Sequence, residues 1–179
     1  MGRSNAGSQR QPRRPLWSRC KAGEIQVSGE SITAQNLRQV LISVAQKIIE
    51  QESYLNSLDA AVGDGDHGIT MRLGFQAIIR KLGELDPQIP MDIMLREVGT
   101  AFMGATGGAI GVILGRALIA AGNALQGSSE MGATEFRHVL GAMEVAIATA
   151  GKAKPGDKTI LDAVHGANRI GRVALPNLD

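Results

Sequence analysis

Apolar residues recur at helical spacing in segment after segment of this chain, and no stretch of convincing length alternates between apolar and polar residues as a strand would. Thr33 and Thr134 stand where the N-terminal caps of two helices are expected. The sequence therefore predicts an all-α fold, with loops joining the helix ends. Helices are predicted over the apolar positions Leu37 to Ile48, Tyr54 to Val62, Met71 to Leu82, Met94 to Phe102, Gly107 to Leu125, Phe136 to Ile147, and from Ile160 onward.

The fifth of these segments, Gly107 to Leu125, is small and apolar on nearly all sides. Such a pattern is typical of a helix buried at the centre of a bundle. Gly107, Gly111 and Gly115 lie four residues apart, a spacing that would allow a neighbouring helix to approach closely. We therefore expect this helix to be central.

Length, composition and charge limit the class of protein. With 179 residues, 44% of them hydrophobic, the chain can bury one sizeable core, so a single domain is expected. Aromatic residues make up only 3%, which disfavours a surface that stacks nucleic-acid bases. Residues 1–30 contain six basic and two acidic residues, a net charge of +4. Because the whole chain has a net charge of +2, the rest of the chain has a net charge of −2. We expect no nucleic-acid partner, a disordered basic tail over residues 1–32 and a folded domain over residues 33–179.

The single cysteine and the distribution of apolar residues bear on the compartment. Cys20 is alone, so neither an intrachain disulfide nor a thiolate metal cluster can form, and a reducing cytoplasm is the default expectation. No uninterrupted apolar run is long enough to span a bilayer, and the N-terminal charges are not followed by the apolar stretch of a signal peptide. The sequence predicts a soluble cytoplasmic protein without a membrane partner.

Three carboxylates form the strongest local signal for chemistry. Asp59 is predicted in the last turn of a helix, and Asp64 and Asp66 alternate in the loop that follows. Converging carboxylates repel one another unless a multivalent cation neutralises them, and oxygen ligands suit Mg²⁺ or Ca²⁺. A solvated acidic turn is the alternative; an EF-hand loop is disfavoured because the run continues as His67-Gly68. His67 would contact a phosphate or nucleotide, or else lie on the surface.

Two glycine-containing loops follow further along the chain. The segment from Gly104 to Gly108 precedes an apolar helix, and glycines at a helix N-terminus let backbone N–H groups approach a phosphate. The loop from Gly151 to Thr159 is only superficially like a P-loop, because Asp157 comes before Lys158 and no strand precedes it. Its turn chemistry alone predicts a structural loop with a solvated lysine.

Three segments, taken in order, resemble the signatures of the dihydroxyacetone kinase L domain: LDAAVGDGDHG from Leu58 to Gly68, GATGGAIG from Gly104 to Gly111, and GKAKPGDKTILDA from Gly151 to Ala163. The resemblance implies an up-and-down barrel of amphipathic helices with a nucleotide, ADP or ATP, at one end. It implies that two Mg²⁺ ions are bound by Asp59, Asp64 and Asp66. It further implies that the nucleotide is lined by His67, Gly68, Ile69 and Thr70, that phosphate meets Ala105 and Thr106, and that the nucleoside end contacts Gly151 and Ile160.

The same resemblance implies a function shared between two chains. A phosphoryl group would pass from the Mg²⁺-bound nucleotide to a short ketose such as dihydroxyacetone, held by a separate K subunit. The phosphoryl donor would be ATP itself or a phosphocarrier protein of a phosphotransferase system that rephosphorylates bound ADP. A nucleotide-binding regulatory module without turnover, or a degenerate fragment, is the alternative.

Departures from the family pattern qualify that resemblance. Met103 stands for a glycine, Thr106 for a serine and Gly108 for a proline, changes that keep a hydroxyl and a flexible backbone. After Ala163 the family continues through further helices with a lid loop, whereas this sequence ends at Asp179. We expect the family's C-terminal part to be missing, and the isolated chain to be poorly soluble or molten unless another chain completes the barrel.

Overall fold

The computed structural model describes residues 31–174, with side chains described as far as residue 171. The predicted basic tail therefore lies outside the described residues, apart from Ser31 and Ile32. Seven helices account for most of the described chain, and the elements in order are β1 (Ile32–Thr33), α1 (Ala34–Glu50), α2 (Glu52–Asp59), α3 (His67–Glu84), α4 (Met91–Ala105), α5 (Gly108–Ala124), β2 (Glu130–Met131), α6 (Ala133–Gly151) and α7 (Ile160–Ala174).

The principal helix contacts follow the chain. Helix α1 packs on α3, α3 on α4, α4 on α5, α5 on α6 and α6 on α7, while α2 lies against α3. This series confirms the predicted all-α, up-and-down helical fold. Strands β1 and β2 are only two residues each and pair antiparallel, with Ile32 opposite Met131. Within the described residues, no helix is long and apolar enough to cross a membrane.

The core is centred on Phe102, which is fully buried in α4. Its ring packs edge-on against Phe75 of α3, with ring centroids 5.4 Å apart. Gly74 is required beside this pair, because a Cβ there would overlap the Phe102 ring. Arg38 of α1 donates to the carbonyls of Leu82 and Asp86 near the C-terminal end of α3, so carbonyl groups there are satisfied from another helix.

The two predicted helix caps have different outcomes. Thr33 caps α1 as predicted: its hydroxyl accepts a hydrogen bond from the Asn36 N–H at 3.2 Å. The prediction for Thr134 is wrong, because α6 begins at Ala133 with Gly132 as its N-cap, two residues earlier than a Thr134 cap would place it. The Glu135 carboxylate accepts from the Gly132 N–H at 2.9 Å, which satisfies the start of the helix without a threonine hydroxyl.

Helix α5 is central in its contacts but not buried on all sides. A Cβ at Gly115 would lie 2.8 Å from the Cβ of Met103 and 2.9 Å from the carbonyl oxygen of Gly99, so this glycine permits the close approach to α4. Gly107 has no such role, since nothing lies within 4 Å of a Cβ there. Val112 is 39% exposed, so one side of the helix faces solvent.

Helix α2 exists as predicted, but most of its apolar residues face outward. Tyr54 and Leu58 are about half exposed, and Val62, in the turn beyond the helix, is 93% exposed. Leu55 packs against the main core. The polar side chains of Asn56 and Asp59 are directed toward α3 instead, where they accept hydrogen bonds from the N–H groups of residues 65–69.

Candidate functional site

The three loops singled out from the sequence lie at one end of the helical fold. Helices α3 and α4 run antiparallel, since Gly74 meets Phe102 and Lys81 lies 3.9 Å from Glu97, so the start of α3 lies near the end of α4. Only two residues separate the end of α4 from the start of α5. Gly151, at the end of α6, lies beside Ile113 in the second turn of α5. The topology thus gathers the loops from residues 60–66, 106–107 and 152–159.

The three predicted metal-ligating carboxylates converge at this end. One carboxylate oxygen from each of Asp59, Asp64 and Asp66 lies within 4.8 Å of the other two. Asp64 and Asp66 are exposed and Asp59 is half-buried. The sequence prediction that these three side chains lie together is confirmed, and their role as metal ligands stays a prediction.

Asp59 is fixed by the loop that it precedes. Its Oδ2 accepts hydrogen bonds from the N–H groups of Gly65 at 2.9 Å, Asp66 at 3.1 Å and His67 at 3.3 Å. Gly65 has φ +80°, a left-handed conformation that suits glycine and turns these amides toward the carboxylate. A Cβ at Gly63 would lie 2.5 Å from the other oxygen, Oδ1, so glycine there leaves room for the carboxylate.

The carboxylates repel one another in the absence of a cation. The neighbouring Asp64 carboxylate raises the pKa of the Asp66 carboxyl above its usual value, and partial desolvation adds to the increase. Asp59 contributes in the same direction. A divalent cation would reverse this effect, since each carboxylate would then face positive charge.

The residues predicted to line the nucleotide begin α3. His67 is the first residue of the helix rather than a loop residue, and it is half-buried. Gly68 is buried, and a Cβ there would overlap the Glu52 carbonyl oxygen, so this glycine has a packing reason beside any ligand role. Ile69 is 40% exposed and Thr70 is half-buried. The structure therefore places three of the four within reach of solvent.

One residue of this region was missed from the sequence. Asn56 of α2 accepts hydrogen bonds through Oδ1 from the N–H groups of Gly68 at 2.7 Å and Ile69 at 3.2 Å. Twelve and thirteen residues separate these partners. Only the position of Asn56 three residues before Asp59, on the same side of a helix, is a signal in the sequence.

The second loop has an open backbone. Among the described residues, nothing lies within 4 Å of a Cβ built on Gly104, Gly107 or Gly108, and Gly107, the N-cap residue of α5, makes no side-chain cap hydrogen bond. Ala105 is half-buried. Thr106 is buried, and its hydroxyl donates to the Phe102 carbonyl at 2.8 Å, so the side chain points into its own helix. The phosphate contact predicted at this loop would therefore come from the backbone.

The third loop is folded around Asp162. Its carboxylate accepts hydrogen bonds from the N–H groups of Gly156 at 2.6 Å and Thr159 at 2.9 Å, and these donors lower the pKa of the Asp162 carboxyl. Lys158, within this loop, has φ +60°. Gly151 and Ile160, predicted to contact the nucleoside, flank the loop and are both exposed.

Comparisons with known proteins agree with this geometry. The family model of the DAK2 domain matches residues 61–172. The match continues nine residues beyond Ala163, where the sequence alone placed the departure from the family, and α7 runs unbroken through that point. The departure therefore begins later than expected.

Two relatives and one solved structure extend the comparison. An ADP-binding subunit DhaL of a PEP-dependent dihydroxyacetone kinase from Listeria innocua is 34% identical over 125 residues, which are 69% of this chain and 58% of that protein. The corresponding Escherichia coli subunit is 31% identical over 112 residues, 63% of this chain and 53% of that protein. The chain thus spans less than two thirds of either relative. A dihydroxyacetone kinase from C. freundii, in complex with AMP-PNP and Mg²⁺, superimposes with a TM-score of 0.64 at 26% identity, over 94% of this chain and 30% of that one.

Proposed function

The chain belongs to the DAK2 domain family, and from that premise we propose that it is the nucleotide-binding subunit of a short-ketose kinase. In this proposal ADP or ATP binds with Mg²⁺ at the end of the fold where the three loops meet. The observation that carries it is the convergence of Asp59, Asp64 and Asp66 at the same end of the fold as the start of α5, whose N-cap residue Gly107 makes no side-chain cap hydrogen bond. A cation site and an anion site at one end suit a metal-bound polyphosphate.

The donor set fits Mg²⁺ rather than a softer metal. All three side chains offer carboxylate oxygens, which are the ligands that Mg²⁺ and Ca²⁺ prefer, and no cysteine lies in the part of the chain that the structure describes. Two of the three are exposed, which leaves room for phosphate oxygens and water. We propose that Asp59, Asp64 and Asp66 hold two Mg²⁺ ions, a number suggested by the family resemblance.

The second and third loops supply the remaining contacts in this proposal. Gly107 and Gly108 present backbone without a side chain in front, so N–H groups at the start of α5 would receive a phosphate near Ala105 and Thr106. The first four residues of α3 would line the nucleotide: His67, Gly68, Ile69 and Thr70. Gly151 and Ile160 would contact the nucleoside end.

The chemistry proposed for this chain is positioning and charge neutralisation. Phosphoryl transfer requires little covalent participation from the protein, because orientation and electrostatic stabilisation supply most of the acceleration. When bound, Mg²⁺ neutralises phosphate charge and draws the phosphate oxygens into position. The relatives are named as ADP-binding subunits of PEP-dependent kinases, which supports a K subunit as the partner that holds the ketose and a phosphocarrier as the source of the phosphoryl group.

Calorimetric titration with ADP, in the presence and absence of Mg²⁺, tests the proposal. We expect binding of ADP that depends on Mg²⁺, and transfer of phosphate to dihydroxyacetone once a K subunit and a phosphoryl donor are added. Absence of ADP binding in a sample whose circular dichroism and melt show folded helices would contradict the nucleotide site. Binding without transfer would retain the site and reject the kinase role in favour of a regulatory one.

A further inference from the structure

Two side chains of α2 satisfy the backbone at the start of α3. The N–H groups of five consecutive residues, from Gly65 to Ile69, all donate to side-chain oxygens of α2. Asp59 Oδ2 accepts the first three and Asn56 Oδ1 accepts the last two. We call Asn56 and Asp59 together the α2 clamp.

Because of the α2 clamp, the N-cap residue of α3 does not have to accept hydrogen bonds from the first amides of its own helix. Asp66 is that N-cap residue, and aspartate is among the residues that most favour this position because its carboxylate accepts from the second or third amide of the helix. Here Asp66 makes no side-chain cap hydrogen bond. The amides of Gly68 and Ile69, which a local cap would bind, already donate to Asn56.

The consequence concerns the direction of the Asp66 carboxylate. A carboxylate folded back over its own helix would be occupied by backbone amides and turned from the other two acids. In the structure it lies instead within 4.8 Å of Asp59 and Asp64 oxygens, an arrangement that Coulomb repulsion among ionised carboxylates opposes. The α2 clamp is placed to hold the cluster together, because it ties the start of α3 to α2 through five hydrogen bonds.

We propose that Asn56 is a positioning residue of the cation site: by capping α3 from α2, it releases the Asp66 carboxylate from capping its own helix and makes it available to a divalent cation. The inference rests on the proposed function, because it takes the three acids as the cation's ligands. Asn56 itself need not touch the metal. Close approach of α2 to α3 is built into the arrangement, since a Cβ at Gly68 would lie 2.6 Å from Asn56 Oδ1.

Binding of Mn²⁺, used as a spectroscopic stand-in for Mg²⁺ and followed by electron paramagnetic resonance, tests this role without any enzyme activity. We expect Asn56→Ala to weaken Mn²⁺ binding about 10-fold, the size typical of residues that orient metal ligands. Asn56→Asp keeps the acceptor oxygen and should bind Mn²⁺ at least as tightly as the unmodified chain. Should Asn56→Ala fail to fold, Asn56→Ser, with a side chain too short to reach both amides, carries the same comparison.

A double variant tests whether Asn56 acts by positioning the Asp66 carboxylate or by a general effect on the cation site. If Asp66 becomes the cap when Asn56 is removed, Asp66→Asn will weaken Mn²⁺ binding in the unmodified chain but change it by less than about 2-fold in the Asn56→Ala background. Equal losses in both backgrounds would overturn the proposal. Amide hydrogen exchange supplies a metal-free check with Asp66→Ala in place of Asp66→Asn, because an asparagine at the N-cap could still accept from these amides. Gly68 and Ile69 should lose protection fully only when Asn56→Ala and Asp66→Ala are combined.

A matched control removes a different contact between the same helices. Glu52 of α2 forms an ion pair with Arg72 of α3 at 2.9 Å, and Glu52→Gln breaks it without removing an acceptor from the amides. Mn²⁺ binding by Glu52→Gln should stay within about 2-fold of the unmodified chain. Failure of the unmodified, folded chain to bind Mn²⁺ would reject the cation site and this inference together, whereas undiminished binding by folded Asn56→Ala would reject the inference alone.

Discussion

The loop before α3 and the loop before α5 differ in how the first backbone N–H groups of the following helix find hydrogen-bond partners. Each leads into a helix whose first backbone N–H groups have no partner within the helix. Before α3, side chains of α2 take up five consecutive amides, so the loop presents carboxylates outward. Before α5, the N-cap residue is Gly107, which makes no side-chain cap hydrogen bond, and in the described part of the chain the glycines leave the backbone open.

This difference assigns opposite charge preferences to neighbouring loops. In the first loop the backbone donors already have side-chain partners, so the electrostatic potential is set by the charged side chains. The negative carboxylates there favour a cation. When donors remain free at a helix N-terminus, the backbone decides, and the second loop attracts anions. A metal-bound phosphate needs both kinds of partner, and one end of this fold offers both.

The largest effect is expected from a methyl group at Gly68, which would disrupt the first loop. In Gly68→Ala the new Cβ meets the Glu52 carbonyl oxygen, a backbone atom that cannot rotate away, so α2 must separate from α3. We expect a loss of about 3 kcal/mol in the free energy of unfolding by urea denaturation. Gly104→Ala is the matched control, because nothing lies within 4 Å of its Cβ, and its stability should change by less than about 1 kcal/mol. Similar losses in both variants would contradict the close packing of α2 on α3.

Removing one carboxylate of the first loop should come next in size. Asp64→Asn takes away a proposed metal ligand and also the main cause of the raised pKa of Asp66. We expect Mg²⁺-dependent ADP affinity to fall at least about 30-fold, roughly 2 kcal/mol, while metal-free stability is maintained because repulsion is relieved. Calorimetry with ADP and a urea titration measure the two quantities. Unchanged ADP affinity would remove Asp64 from the metal site.

A substitution in the second loop is expected to destabilise the fold through backbone strain, whereas Gly68→Ala does so through steric overlap. Gly108 has φ +72°, and the space around it is open. Gly108→Ala should therefore cost about 1 kcal/mol through backbone strain alone. It should also weaken ADP binding, since the amides at the start of α5 would shift. A variant with full stability would show that the loop relaxes without the left-handed conformation.

Sequence reasoning succeeded where the signal was local. Helical spacing of apolar residues gave the seven helices, and the alternation of Asp64 and Asp66 after a helix ending in Asp59 placed three carboxylates together. These features depend on neighbours within one or two turns, which a pattern along the chain records.

It failed at two positions, one where another local residue provides the cap and one where the partners are distant in the chain. Thr134 was expected to cap α6, but Glu135 reaches back to Gly132 and starts the helix earlier. Asn56 was passed over because its hydrogen-bond partners lie 12 and 13 residues away. The ligand roles assigned by resemblance stay predictions, since a backbone position near a loop does not by itself show what the loop binds.

The smallest effect is expected in the third loop, which resembles the first in gathering amides around a carboxylate. Donors from Gly156 and Thr159 lower the pKa of Asp162 below its ordinary value of 3.8. The ionised carboxylate therefore stabilises the fold at pH values above 3.8, and that contribution disappears as the pH falls through the lowered pKa. Asp162→Asn should show a slightly lower urea midpoint than the unmodified chain at pH 7, and the two midpoints should converge as the pH falls below about 4.

Asp157 offers a control in the same loop, because its carboxylate accepts a single amide, that of Lys154, at 2.8 Å. Asp157→Asn should therefore change the acid dependence less than Asp162→Asn does. A constant difference between Asp162→Asn and the unmodified chain at every pH would show that the hydrogen bonds to Asp162 do not depend on its charge. The third loop would then differ from the first, where the role proposed for Asp59 includes binding a cation as well as accepting from three amides.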